Sequence, residues 1–127
     1  MSGDNIRVLV VDDSPDGAQS LAALMTANGY EARACTDATQ ALALIEEFAP
    51  LCILHDVRMP RVSGLELARQ IRTRHGDGIV LIAVTGGSPT DADVADTFEL
   101  VDHYLTKPVD IAKLEKVLPP QAPRSGS

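Results

Sequence analysis

Five short apolar runs alternate along the 127 residues with five stretches of helical spacing, and that alternation leaves very few folds open. The runs are IRVLVV (6–11), YEARAC (30–35), LCIL (51–54), IVLIAV (79–84) and DHYL (102–105). The first, third and fourth are almost continuously hydrophobic, as central strands covered on both faces are. YEARAC alternates and DHYL is weak, which suits strands nearer the edges. Between the first two runs, Leu21, Leu24, Met25 and Asn28 recur at i, i+3, i+4 and i+7, so the spacing predicts a helix over 15–28. Ser14-Pro15 starts it as N-cap and first helical residue, and Asn28-Gly29 ends it. Helices are likewise predicted over 38–48 (Leu42, Ile45, Phe48) and 64–75 (Leu65, Ala68, Ile71, Arg72), stopped by Pro50 and by His75-Gly76. Two more are predicted over 90–99 (Val94, Ala95, Phe98) and 110–118 (Ile111, Leu114, Leu118), the last ended by Pro119-Pro120.

A β-α unit used five times with short links calls for an α/β fold, a doubly wound five-stranded parallel sheet with helices on both faces. Such sheets carry their site at the carboxyl ends of the strands, by the topological switch point. With 45% hydrophobic residues but only 3% aromatic and no Trp, the core must be built from Val, Ile, Leu and Ala. A net charge of −7 argues against binding to a nucleic-acid backbone and suits cationic ligands or partners. No run approaches the roughly 18 apolar residues of a membrane span. The start, MSGDNIRVLVVDD, is interrupted by charge too early for a signal peptide, so a soluble cytoplasmic chain is expected. Cys35 and Cys52 fall on strands either side of a third, about 10 Å apart. That exceeds the roughly 7 Å a disulfide spans, and reduced, buried thiols are expected.

The residues that follow the strands carry the chemistry. Asp12 and Asp13 follow the first, Asp56 the third, Thr85 the fourth and Lys107-Pro108 the fifth. Singly, each has an ordinary reading: a solvated acidic pair before a helix, a turn former, a loop threonine, a surface lysine. A parallel sheet puts all of them on one edge, where three carboxylates, a hydroxyl and an ammonium converge. Carboxylates packed together raise one another's pKa, and a divalent cation with a lysine relieves that repulsion. Oxygen-only ligands with positions open to water point to Mg²⁺ rather than Zn²⁺.

Asp12-Asp13, HDVRMPRVSG with Asp56, Thr85, and YLTKP with Lys107 resemble the receiver domain of bacterial two-component response regulators. The resemblance covers roughly residues 5–118; residues 1–118 are read as the receiver unit. The Pro-, Ser- and Gly-rich end, 119–127, is read as a linker stub, a disordered end or a cloning scar. The resemblance implies a flavodoxin-like sheet of order 2-1-3-4-5 and an aspartyl phosphate formed on Asp56. It implies Mg²⁺ held by Asp13, Asp56, Asp12 through water and the backbone carbonyl of Arg58. Thr85 and Lys107 would take phosphoryl oxygens, and Tyr104 would be the aromatic that turns inward when Thr85 moves. The implied partner is a histidine kinase or histidine phosphotransfer protein, docked on the nearly uncharged first helix, with no nucleic acid or membrane bound by this chain. Such a module is a phosphoacceptor switch rather than an enzyme. The sequence departs from the family pattern at His55, where an apolar residue is usual, at Gly86, and at Leu100-Val101 in place of Gly-Ala. Rival readings are a pseudo-receiver that never takes phosphate and an Mg²⁺-dependent phosphatase with an aspartyl nucleophile. The latter usually carries Asp-x-Asp after the first strand, and this chain has adjacent aspartates there.

Overall fold

The computed structural model describes residues 6–56, 64–76, 78–85, 100–106 and 109–118. They form β1 (Arg7–Val11), α1 (Pro15–Ala27), β2 (Glu31–Cys35), α2 (Ala38–Phe48), β3 (Cys52–Asp56), α3 (Gly64–His75), β4 (Val80–Thr85), β5 (His103–Thr106) and α4 (Ile111–Val117). The strands make one parallel sheet in the order β2-β1-β3-β4-β5, with the two weakest runs at its edges. The helix predicted over 90–99 lies outside the described residues, as do Gly86 and the tail 119–127.

Side chains alternate across the sheet and divide the core in two. Val8, Val10, Cys52, Leu54, Ile82 and Val84 pack against Ala18, Ala22 and Met25 of α1 and against Leu114 of α4 and Leu118 just beyond it. Leu9, Val11, Ile53 and Leu81 pack on the other side against Ala41 and Ile45 of α2 and Leu67 and Ile71 of α3. The buried stripe of α1 therefore runs through residues 18, 22 and 25, and Leu24 from the predicted stripe is 40% exposed. With residues 18, 22 and 25 turned to the sheet, Leu24 lies about a quarter turn away from the buried stripe.

Caps fix where the helices start and stop. Ser14 and Asp37 cap α1 and α2 as each accepts a hydrogen bond from the third residue after it, Gly17 N–H and Gln40 N–H. Asp110 caps α4 rather than beginning it, accepting from Ala112 N–H at 2.9 Å. Pro50 disfavours a helical conformation at the residue before it, and Ala49 leaves α2 at a left-handed φ of 52°. The two cysteines are free and buried, on β2 and β3 with β1 between them. Burial pushes the Cys35 thiol up to about 12 and also raises Cys52, so neither is a ready nucleophile.

At the amino end of the sheet Arg72 ties three elements together. Its Nε donates to Leu100 O at 2.8 Å, and its Nη1 donates to Ile79 O at 2.8 Å and Gly76 O at 2.9 Å. Its Nη2 donates to Asp102 Oδ2 at 2.7 Å, and that oxygen also accepts from Leu81 N–H at 2.9 Å. Burial opposes ionisation of Asp102, but the Leu81 N–H and the Arg72 guanidinium outweigh it and hold the carboxyl below its ordinary value. One guanidinium thus fixes the end of α3 and the starts of β4 and β5.

Candidate functional site

The opposite end of the sheet holds Asp12, Asp13 and Asp56. Asp12 N–H donates to Cys35 O at 3.2 Å, carrying the backbone pairing one residue past β1. Asp12 Oδ1 then accepts from Ser14 N–H at 2.9 Å, and the Ser14 cap turns the chain directly into α1. Asp12 and Asp13 are therefore held at the carboxyl edge of the sheet. Gly17 is the residue that composition and periodicity pass over. A Cβ there would stand 3.0 Å from Asp12 Oδ2, so the missing side chain is what lets the carboxylate lie against α1.

Asp56 ends β3 and is 5% exposed, on the same side of the sheet as Cys52 and Leu54. One carboxylate oxygen from each of Asp12, Asp13 and Asp56 lies within 4.8 Å of the other two. The three residues grade from exposed Asp13 through half-buried Asp12 to buried Asp56. Hard anionic oxygens at this spacing, open to water on one side, suit a divalent cation such as Mg²⁺. They do not suit zinc, whose sites favour sulfur and imidazole. A cavity of about 280 Å³ adjoins the acids, walled by Leu21 and Leu24 of α1 and by Val84 and Val109.

Thr85 is the last residue of β4, opposite Thr106 at the end of β5, so its backbone reaches the same edge. The Thr85 side chain lies outside the described residues, as do Arg58 and Lys107, the latter next in sequence after Thr106. Tyr104 stands opposite Ala83 and packs on it together with Val101, with its hydroxyl oxygen buried.

His55 is fully buried on the face of the sheet away from Asp56. Its Nδ1 lies 3.2 Å from the Asp56 carbonyl oxygen. A carbonyl can only accept, so this contact places the imidazole proton on Nδ1. Burial drives its pKa from the ordinary 6.5 down to about 4, partly offset by that hydrogen bond, with the Arg72 charge pushing the same way as burial. The unfolded chain thus binds a proton near pH 6.5 that the folded chain refuses until near pH 4. Stability is full above pH 6.5 and falls as pH drops toward 4, by up to about 1.4 kcal/mol per pH unit. Chemical denaturation between pH 7 and 4 should show this slope in the wild type and a flatter one in His55→Leu.

A sequence model of the response regulator receiver domain matches residues 8–119. The chain belongs to the response regulator receiver family. Among relatives of this receiver, response regulator MprA of Mycobacterium sp. (strain KMS) is 36% identical over 109 residues, 86% of this chain and 47% of that protein. The chain thus spans about half the length of the mycobacterial relatives it matches. Among solved structures, a response regulator receiver protein from Pseudomonas putida superposes with a TM-score of 0.81 at 29% identity, covering 91% of this chain and 96% of that one. Chemotaxis response regulator CheY4 of Vibrio cholerae gives 0.80 at 26% identity, covering 90% and 99%. The receiver sheet order expected from the sequence is the one observed. Among the described residues no helix is long and apolar enough to cross a membrane.

Proposed function

We propose that this receiver accepts a phosphoryl group on Asp56 from a phosphohistidine of a histidine kinase or histidine phosphotransfer protein. The observation that carries the reading is the convergence of Asp12, Asp13 and Asp56 within 4.8 Å at the carboxyl edge of a receiver sheet. A carboxylate oxygen of Asp56 attacks phosphorus, the phosphorus–nitrogen bond breaks, and its electron pair leaves on the donor imidazole. Phosphoryl transfer needs alignment and charge cancellation more than covalent help. Asp13, Asp56, Asp12 through water and the Arg58 carbonyl would hold Mg²⁺, and that hard cation would supply charge cancellation during the transfer. The Lys107 ammonium pairs with one phosphoryl oxygen and the Thr85 hydroxyl donates to another. The new phosphate adds roughly −1.5 to −2 charge, which draws Thr85 in and lets Tyr104 repack, the two-state element of the switch.

Residues 1–118 are the receiver unit in this reading. The chain works in the cytoplasm, with no nucleic acid or membrane among its own ligands. Incubation with acetyl phosphate and Mg²⁺ should give one acid-labile phosphate per chain. Repeated release of phosphate from small phosphomonoesters would instead mark a phosphatase, and no labelling would mark a pseudo-receiver.

Gly17→Ala separates stability from the site. Alanine in a helix is favoured over glycine by about 0.5–1 kcal/mol, so the midpoint of thermal unfolding should hold or rise. The added Cβ, 3.0 Å from Asp12 Oδ2, displaces that carboxylate, and Mg²⁺ affinity should fall several-fold by titration.

A further inference from the structure

The backbone register aligns a row of residues across one face of the sheet. Val11 pairs with His55, His55 with Ala83, and Ala83 with Tyr104. The row therefore runs from the strand of Asp12 through the neighbour of Asp56 to the switch position. Ala83 is the smallest member, and Tyr104 packs directly on it. With the proton on Nδ1, facing the Asp56 carbonyl, His55 Nε2 is a bare acceptor. It is fully buried and has no hydrogen-bond partner among the described residues. A buried acceptor without a donor is costly, so the site favours any conformation that brings one. His55 and Tyr104 stand two strands apart, about 10 Å between backbones, with Ala83 on the strand between them. A phenol leaning over Ala83 toward an imidazole leaning the other way spans that gap, and a phenol has a proton to give.

We propose that the Tyr104 hydroxyl donates a hydrogen bond to His55 Nε2 across Ala83 when the switch turns inward. The bond ties the switch aromatic to the backbone of Asp56 through the two nitrogens of one ring. It rests on the functional reading above for the state in which it forms. An apolar residue at position 55 offers no such acceptor, which gives the departure at His55 a physical purpose. His55 acts here as a positioning residue and touches no reacting atom.

Beryllofluoride with Mg²⁺ is the probe, and fluorine NMR reports whether the adduct forms on the ¹⁵N-labelled full chain. With the adduct present, the His55 Nε2 resonance should move upfield in the wild type, as an acceptor nitrogen does on gaining a donor. It should stay in place in Tyr104→Phe, which keeps the ring and lacks the proton. In His55→Leu the Tyr104 ring resonances should shift less on adduct formation than in the wild type. An adduct with unchanged Nε2, or an equal Nε2 shift in Tyr104→Phe, overturns the latch and leaves the functional reading standing. No adduct at all overturns the functional reading and removes the state in which the latch forms. If His55→Leu fails to fold, the Tyr104→Phe comparison alone decides.

Discussion

Asp56→Asn should take up no acid-labile phosphate from acetyl phosphate under conditions that label the wild type fully. The amide of asparagine is a poor nucleophile toward phosphorus, and no other acid in the cluster matches the place of Asp56. Asp13 is exposed and Asp12 is committed through Oδ1 to the Ser14 N–H, whereas Asp56 is buried at the end of a central strand beside both. The substitution is nearly isosteric and removes one of three mutually repelling carboxylates. The fold should therefore survive, with equal or higher stability when Mg²⁺ is absent. Intact-mass spectrometry and thermal unfolding on the same samples read both effects. Labelling that persists in Asp56→Asn would mean that another residue is the acceptor.

Arg72→Ala should be the most damaging single change at the other end of the sheet. The guanidinium serves four acceptors: the carbonyls of Gly76, Ile79 and Leu100 and the Asp102 carboxylate. Its side chain is 17% exposed whereas Asp102 is 46% exposed, so the pair is only partly shielded and the value for a fully buried ion pair overstates the loss. Charge-assisted hydrogen bonds contribute about 1.5–3 kcal/mol, and losing several at once with partners left behind should cost about 2–4 kcal/mol. For a domain of this size that lowers the unfolding midpoint by roughly 10 °C. Arg72→Lys should recover little of it, since one ammonium cannot reach the acceptors that the planar guanidinium spans. A loss below about 1 kcal/mol would show that the network is incidental.

The fold was legible because its signal is local. Each apolar run and each helical stripe declares itself within a dozen residues, and the layer rule then leaves one arrangement with a common carboxyl edge. The acids at that edge were legible for the same reason, since Asp12, Asp13 and Asp56 each follow directly on a run. What escaped reading depends on distant contacts. Arg72 fits the apolar period of α3, and nothing near it in sequence announces acceptors at Leu100 and Asp102, 28 and 30 residues away. Gly17 reads as a weak helix residue until Asp12 Oδ2 is found 3.0 Å from where its Cβ would be. Leu24 matches the helical stripe as well as Met25 does, and only the packed helix shows that the buried face runs through Ala18, Ala22 and Met25. For His55 the alternation of strand side chains is enough to put it on the face away from Asp56. Its alignment with Ala83 and Tyr104 needed the register of three strands.

The central claim is that acids from the ends of β1 and β3 share one magnesium ion. Titrating ¹⁵N-labelled protein with Mg²⁺ alone, without any phosphoryl donor, tests it most directly. Saturable shifts at the amides of Asp12, Asp13 and Asp56 in the millimolar range, abolished by Asp13→Asn, are the predicted result. Shifts confined to the acidic stretch of Asp91, Asp93, Asp96 and Glu99, or none at any of these residues, would contradict it.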